Sequence, residues 1–583
     1  MTCMDGQTRT RDILGNASGR AALGKAMPDV VENAEKMGGA LDLPIGALMT
    51  LFRVKDSVQY ELWESLSEIA VPDRVEPEPV APNPEYEAAD VPCASATVVL
   101  PDSATVNTPL ELTFEGPAHG NPFIDVELHA TFTLDGEERR VGGFYDGNGR
   151  YVIRFLPEKT GTWQFHTRST ARSLDGHSGK LTVDASRVQG RVKVADRFHF
   201  SHVNGDVYRP VGTTLYAWTH QSRELQQETL ATLESSPFTK VRMCVFPKAF
   251  IFNDNEPDLY PFERDGEAWD TEKFNLAFFQ HLENRVRDLG ELGIEADIIL
   301  FHPYDRWGFQ DLGKAADERY IRYLIRRLAA LPNVWWSLAN EYDFVTTKRR
   351  EDWDRFGRIV VEEDHAGHLL SIHNGTRFYD YNAEWVTHCS LQKVDYYKTA
   401  ELVQDMRERW GKPVVMDEIG YEGDLEYEWG SLSATEVVRR AWETTLRGGY
   451  YTHGETYYEE NDQLWWAKGG RMVGQSADRI AFLDGLSSES PTGRLEPIFS
   501  MSPTPISGVK GQYEIHYNGY SQHKFRTVDV PDGCTAEIDI VDTWAMTVET
   551  LPMKFSGRQT VEMPARPYMA LRMRVVDQVS PET

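Results

Sequence analysis

The sequence predicts an α/β protein: a (β/α)8 barrel flanked by two β-sandwich domains and preceded by an N-terminal helical extension. Three observations carry that expectation. At 583 residues the chain exceeds what one hydrophobic core usually organises, so two to four domains are expected. From about 191 to 492, short apolar runs alternate with amphipathic helical stretches, the pattern of parallel strands and crossover helices. On both sides of that region the chain reads as short alternating strands punctuated by Gly, Pro, Asp and Asn.

The elements follow in order. Residues 1–72 place Leu14, Ala22, Leu23, Val30 and Val31 at helical spacing, with breaks at Pro28, Gly38-Gly39 and Pro44. This extension has no catalytic motif and suits packing or homo-oligomerisation better than a substrate lid. Residues 73–92 hold Pro77, Pro79, Pro82, Pro84 and Pro92 among acids, the composition of an extended linker. From 93 to 190 come Thr97–Leu100, Leu110–Phe114, Ile124–Leu128, Tyr151–Phe155 and Thr162–Phe165, with a turn at Asp146-Gly-Asn-Gly149, as in a β-sandwich. Eight barrel strands are expected at Tyr208–Tyr216, Lys240–Phe246, Ile294–Phe301, Val334–Leu338, Leu369–His373, Trp385–Cys389, Pro413–Asp417 and Tyr450–Gly454. Helices at Asn275–Leu292 and Ala316–Leu331 lie between some of them. A doubly wound sheet is the rival, but no G-x-G-x-x-G or phosphate loop follows the first strand. Residues 493–583 return to short strands and suggest a second sandwich.

Composition narrows the function. A net charge of −29 excludes a nucleic-acid partner, since phosphate binding needs basic surface. Aromatic content of 11%, with 15 Trp and 25 Tyr, offers faces for stacking on sugars, although β-rich cores consume aromatics too. Five dispersed cysteines form no disulfide framework or zinc pattern, and Cys244 and Cys389 sit in apolar strand-like runs. No export signal and no stretch of ~20 apolar residues is visible, so the expected setting is cytoplasmic, with no membrane partner. On that basis the sequons at Asn16 and Asn374 are chance matches.

In such a barrel, functional groups sit just past the C-terminal ends of strands. Strand four runs Val334-Trp-Trp-Ser-Leu338 and ends at Ala339-Asn340-Glu341; strand seven runs Pro413-Val-Val-Met416 and ends at Asp417-Glu418. Two carboxylates thus stand at strand mouths. The Asn-Glu pair after strand four and the Glu after strand seven resemble clan A retaining glycoside hydrolases, specifically a subgroup with an N-terminal β-sandwich and a C-terminal β-domain. The resemblance covers roughly residues 93–583.

That resemblance implies Glu341 as acid/base and Glu418 as nucleophile of a double displacement, which needs the carboxyls only about 5–5.5 Å apart. An ionised Glu418 would then raise the pKa of Glu341. Asn340 would bond the sugar 2-hydroxyl, and Arg242 on strand two would orient the nucleophile. His302, His373, His453 and Glu455 fall at strand ends and are candidates for sugar contacts. Trp218, Trp307, Trp465 and Trp466 are candidate platforms. The family's tyrosine near strand six has no clear counterpart: Tyr396, Tyr397 and His388 all stay open. Glu422 and Asp417 are rival nucleophiles.

Two other readings compete. A metal-dependent barrel hydrolase or isomerase could use His302, Asp305, Glu341 and His373, but strand one lacks a His-x-His and no cofactor or metal motif is visible. A carbohydrate-binding protein without turnover is the other. Long loops such as Ile251–Thr271 favour a walled pocket and an exo-acting enzyme on a short carbohydrate substrate.

Overall fold

The computed structural model describes residues 2–71, 76–250, 252–393, 398–457 and 464–578. Eight strands of the central region form one near-closed parallel sheet: β1 (Val211–Thr214), β2 (Lys240–Cys244), β3 (Glu295–Phe301), β4 (Val334–Ala339), β5 (Leu369–Ser371), β6 (Cys389–Gln392), β7 (Val414–Glu418) and β8 (Tyr450–His453). Their order is β5-β4-β3-β2-β1-β8-β7-β6, the sequential circuit of a (β/α)8 barrel. The strands read as continuous apolar runs because both faces are covered: every residue of β2, β3 and β4 is buried.

Several strands fall short of the sequence expectation or shift; β2 ends at Cys244 and β8 at His453, two residues and one residue early. β1 begins only at Val211, because Pro210 has no N–H to give a ladder. The preceding Val207–Tyr208 pairs instead with His199–His202 in a separate antiparallel sheet. β6 lies at Cys389–Gln392 and not at Trp385–Cys389. Trp385 belongs to the loop before it, where its indole donates to Asp354 Oδ1 at 3.1 Å. β5 ends at Ser371, two residues earlier than expected.

The chain comprises two compact units. The first contains Met1–Arg191, Cys244–Arg287 and Ile298–Val386. Its N-terminal helices, from Thr10–Gly15 to Asp56–Ser67, bury Ile13, Leu23, Ile45, Leu48, Leu62 and Leu66 in a core of their own. The breaks fall at Pro28, at Gly38 (φ 51°) and at Pro44. Strands between Thr97 and Asp184 enclose a second core of Leu112, Phe114, Phe132, Phe155, Trp163 and Phe165. Leu128–Leu134 alternates strictly between buried and half-buried residues. Helices Lys314–Leu328 and Arg350–Glu363 cover β3 to β5, and Glu363 ties them by accepting from both Arg322 and Arg326.

The second unit contains Val192–Met243, Asp288–Asp297 and Thr387–Thr583. Besides β1, β2, β6, β7 and β8 it holds a six-stranded sheet that includes Tyr513–Tyr517, Cys534–Asp542 and Met569–Gln578. A two-stranded sheet, Phe525–Asp529 with Arg558–Glu562, completes a core of Val528, Ile538, Val561, Leu571 and Met573. Cys244 and Cys389 are buried on β2 and β6 and are free thiols. Among the described residues, no helix is long and apolar enough to cross a membrane.

Candidate active site

In the first unit, β4 delivers Asn340 and Glu341 immediately past its last residue. The Asn340 N–H bonds Phe301 O at 3.0 Å, which continues the β3 ladder to the mouth. The His373 N–H bonds Ala339 O at 3.0 Å, and His373 O accepts from Tyr342 N at 2.9 Å. Between these anchors Glu341 adopts φ 51°, ψ 55°, a left-handed conformation that costs a non-glycine residue of order 1–3 kcal/mol. Such strain persists only where neighbours enforce it. The carboxylate, 7% exposed, accepts a hydrogen bond from the Tyr304 hydroxyl and one from Asn340 Nδ2 at 3.2 Å. The Lys248 ammonium lies 4.3 Å from the Tyr304 ring centre, a cation–π contact.

In the second unit, β7 ends in two acids that alternate in direction. Asp417 is fully buried. Its Oδ1 takes Lys240 Nζ and Thr452 Oγ1, each at 2.7 Å, and its Oδ2 takes Ser390 Oγ. Lys240 also reaches Asp297 at 2.7 Å, so the ammonium is shared by two carboxylates inside the sheet. Glu418 points the other way, is partly exposed, and accepts from the Tyr216 hydroxyl. Burial, then the neighbouring Glu418 and Tyr421, push the Tyr216 phenol far above its ordinary value, so it stays a donor. Arg242 sits 6.0 Å from the Tyr216 ring centre, with ion pairs of 3.6 Å to Asp297 and 3.9 Å to Asp417. Burial opposes its charge, but Asp417 and its neighbours outweigh that and raise its pKa. Around Glu418, Tyr421 stacks on Trp466 (5.9 Å, 12°), Trp429 meets Trp466 edge-on at 5.1 Å, and exposed Tyr427 stacks on Trp429.

The remaining predicted residues are deeply placed. His302 Nε2 donates to Phe246 O at 3.0 Å. His373 and Trp218 are fully buried, and the Trp465 indole donates to Thr213 Oγ1 at 2.8 Å. His453 is fully buried, bonds Ser476 Oγ at 3.0 Å, and burial lowers its pKa to about 3. Glu455 is 1% exposed. Glu422 is fully buried. It accepts from Gln475 N, Ser476 N, Ser476 Oγ and Tyr457 OH, as many donors as its two oxygens hold. Glu422, His453 and Glu455 are the one set of three with metal-ligand spacing among the described residues. A cation there would have to displace some of the four donors that Glu422 already accepts. The set His302, Asp305, Glu341 and His373 does not converge in that way, and Asp305 caps the N–H groups of Trp307, Gly308 and Gln310. Asn374 is fully buried, and Asn16 caps the helix that follows it.

Tyr216 and Tyr304 were the residues that sequence reasoning passed over. Both lie just beyond the C-terminal end of a strand, β1 and β3, so the rule that found the glutamates would have found them. Tyr396, Tyr397 and Ile251 lie outside the described residues.

A near-closed parallel barrel with acids at strand mouths is a scaffold shared by many enzymes, and comparison with known proteins gives the family. A family described as an apiosidase-like catalytic domain matches residues 200–481. Two domains of unknown function, DUF5060 and DUF5605, match residues 105–170 and 503–574. A protein from Bacteroides vulgatus ATCC 8482, assigned as a glycoside hydrolase, is 37% identical over 82% of this chain and all of its own, with a TM-score of 0.78. The chain belongs to the same glycoside hydrolase family and is a glycosidase. A glycoside hydrolase family 5 protein from the same organism shares the fold at 16% identity and a TM-score of 0.53, over 67% of this chain and 94% of its own. A search of curated proteins finds no match.

Proposed function

We propose that the enzyme is a retaining exo-glycosidase in which Glu418 is the nucleophile and Glu341 the acid/base. The observation that carries this reading is the contrast at the end of β7. Asp417 is spent on Lys240, Thr452 and Ser390 inside the sheet, while Glu418 keeps a partly exposed carboxylate that accepts from the buried Tyr216 hydroxyl. In the first step Glu418 attacks the anomeric carbon while the Glu341 carboxyl gives its proton to the departing oxygen. In the second, Glu341 takes a proton from water, the water oxygen bonds the anomeric carbon, and the bond to Glu418 breaks. In this reading Asn340 bonds the sugar 2-hydroxyl, and Arg242 steadies Tyr216 and through it Glu418. The description of the matched family makes apiosides the first substrates to try. The strands of 97–184 and 496–578 are read as the flanking sandwich domains of that architecture.

The test is a panel of aryl glycosides, furanosides and pyranosides alike, with wild type, Glu418→Ala and Glu341→Ala. Loss of turnover by several orders of magnitude in Glu418→Ala is expected. The Glu341→Ala variant should keep turnover of substrates with activated leaving groups and accumulate a glycosyl-enzyme visible by intact mass. Wild-type turnover by Glu418→Ala would refute the assignment.

A further inference from the structure

The N-terminal helices have no counterpart in the chemistry above, yet they make an unusual contact within the first unit. A Cβ on Gly46 would lie 1.9 Å from an Arg377 guanidinium nitrogen, and one on Gly6 would lie 3.0 Å from the same atom. The two glycines are joined by the Gly46 N–H to Gly6 O bond at 3.0 Å, and Trp63 closes the side of Gly6 at 3.3 Å. They form a cradle that any side chain would fill. Arg377 itself is tied to the turn that carries Glu341. Asp343, two residues past Glu341, accepts from the N–H groups of Gly375 (2.5 Å), Thr376 (2.8 Å) and Arg377 (2.9 Å), and from Thr376 Oγ1 (3.0 Å). Asp343 is 2% exposed, so these bonds are sheltered from water.

Next to this latch runs a solvent-open groove of about 1120 Å³, bordered by Asp5 and Arg9 of the N-terminal segment and by Tyr342, Arg350 and Arg377. Tyr342 of the turn borders this groove and packs edge-on against Tyr379 at 5.1 Å and Trp353 at 6.4 Å, so the latch is one of several contacts that fix the turn.

We propose that the N-terminal helical segment is a positioning element for the acid/base, acting through Arg377 seated between Gly6 and Gly46 and through the Asp343 clamp. Glu341 already sits in a strained backbone conformation, and such a residue stays aimed only while its surroundings hold it. Arg377 is thus a positioning residue and does not touch substrate. The inference rests on Glu341 being the acid/base.

The experiment uses the full chain and compares Arg377→Ala and Gly46→Ala with wild type on two glycosides of one sugar. One has a dinitrophenyl leaving group that departs without protonation, the other a simple alkyl group that requires it. A misaimed acid should lower kcat/KM on the alkyl glycoside by about 10–100-fold and leave the dinitrophenyl glycoside near wild type. Alanine is the better helix former, so any loss in Gly46→Ala arises from what its Cβ meets in the cradle, Arg377 at 1.9 Å and Gly6 O at 2.9 Å. The double variant should be no worse than Arg377→Ala alone. Equal loss on both substrates, or no loss on either, overturns the proposal. If Glu341→Gln shows no leaving-group dependence of its own, it is the acid/base assignment that has failed, and not only the latch.

Discussion

Tyr216→Phe isolates the phenol that donates to Glu418 at the end of β7. The substitution removes one oxygen and keeps the ring, which packs edge-on against Trp466 at 6.3 Å. Tyr216 is 1% exposed, so bulk water does not replace the lost donor. A hydrogen bond to a charged group contributes about 1.5–3 kcal/mol. At about 1.4 kcal/mol per tenfold, that is a loss of roughly 10- to 150-fold in kcat/KM. The Tyr421 hydroxyl, 3.5 Å from that of Tyr216, is placed to recover part of the loss, so Tyr216→Phe/Tyr421→Phe should fall further than the single variant. The assay is steady-state hydrolysis of an aryl glycoside, with thermal unfolding of the same samples as control. An unchanged kcat/KM with an unchanged Tm would refute the reasoning, because the phenol would then not be holding the reacting carboxylate.

Three further outcomes follow from the same structure. Lys240→Met leaves the buried Asp297 and Asp417 with only the longer Arg242 pairs of 3.6 and 3.9 Å in place of their shared ammonium and should cost up to about 3–5 kcal/mol, read as a lower midpoint in denaturant; an unchanged midpoint would contradict the network. Burial lowers the His388 imidazole to about 4, against roughly 6.5 in an unfolded chain. Below pH ~6.5 the unfolded state therefore binds the extra proton, so this stability is complete above that pH and falls by about 3 kcal/mol on descending to pH 4. His388→Gln should flatten Tm against pH across that window, and parallel curves would count against it. Glu422→Gln should lower stability without the selective catalytic loss of Glu418→Ala, because its carboxylate organises the backbone of Gln475 and Ser476; a folded but inactive Glu422→Gln enzyme would reopen it as the nucleophile.

The barrel was legible because its strands are buried on both faces and its helices are amphipathic, so two periods alternate in one stretch of chain. Val334–Ala339 and Val414–Glu418 were readable for that reason, and the rule that functional groups lie past strand ends is what singled out Glu341 and Glu418 as candidates. Where an apolar run serves something other than a strand, the reading slipped. Trp385 and Val386 are apolar and precede Cys389, but the indole is spent on Asp354 and the run packs as a loop. His453 and Glu455 occupy a strand end, yet their side chains are enclosed, a consequence of which face of β8 they leave from. Period-two alternation decides that face, and a four-residue strand gives too few positions to fix it. The Arg377 cradle was invisible for a different reason: it joins residues more than three hundred positions apart, and glycines in a sequence announce turns before they announce a socket.

The most direct test of the two-glutamate account is the anomer released first. Proton NMR, recorded as wild-type enzyme hydrolyses its glycoside and before mutarotation, reports that configuration. Double displacement through Glu418 predicts a first product with the configuration of the substrate. Release of the opposite anomer would mean that water attacks directly, and Glu418 would then be a general base and not a nucleophile.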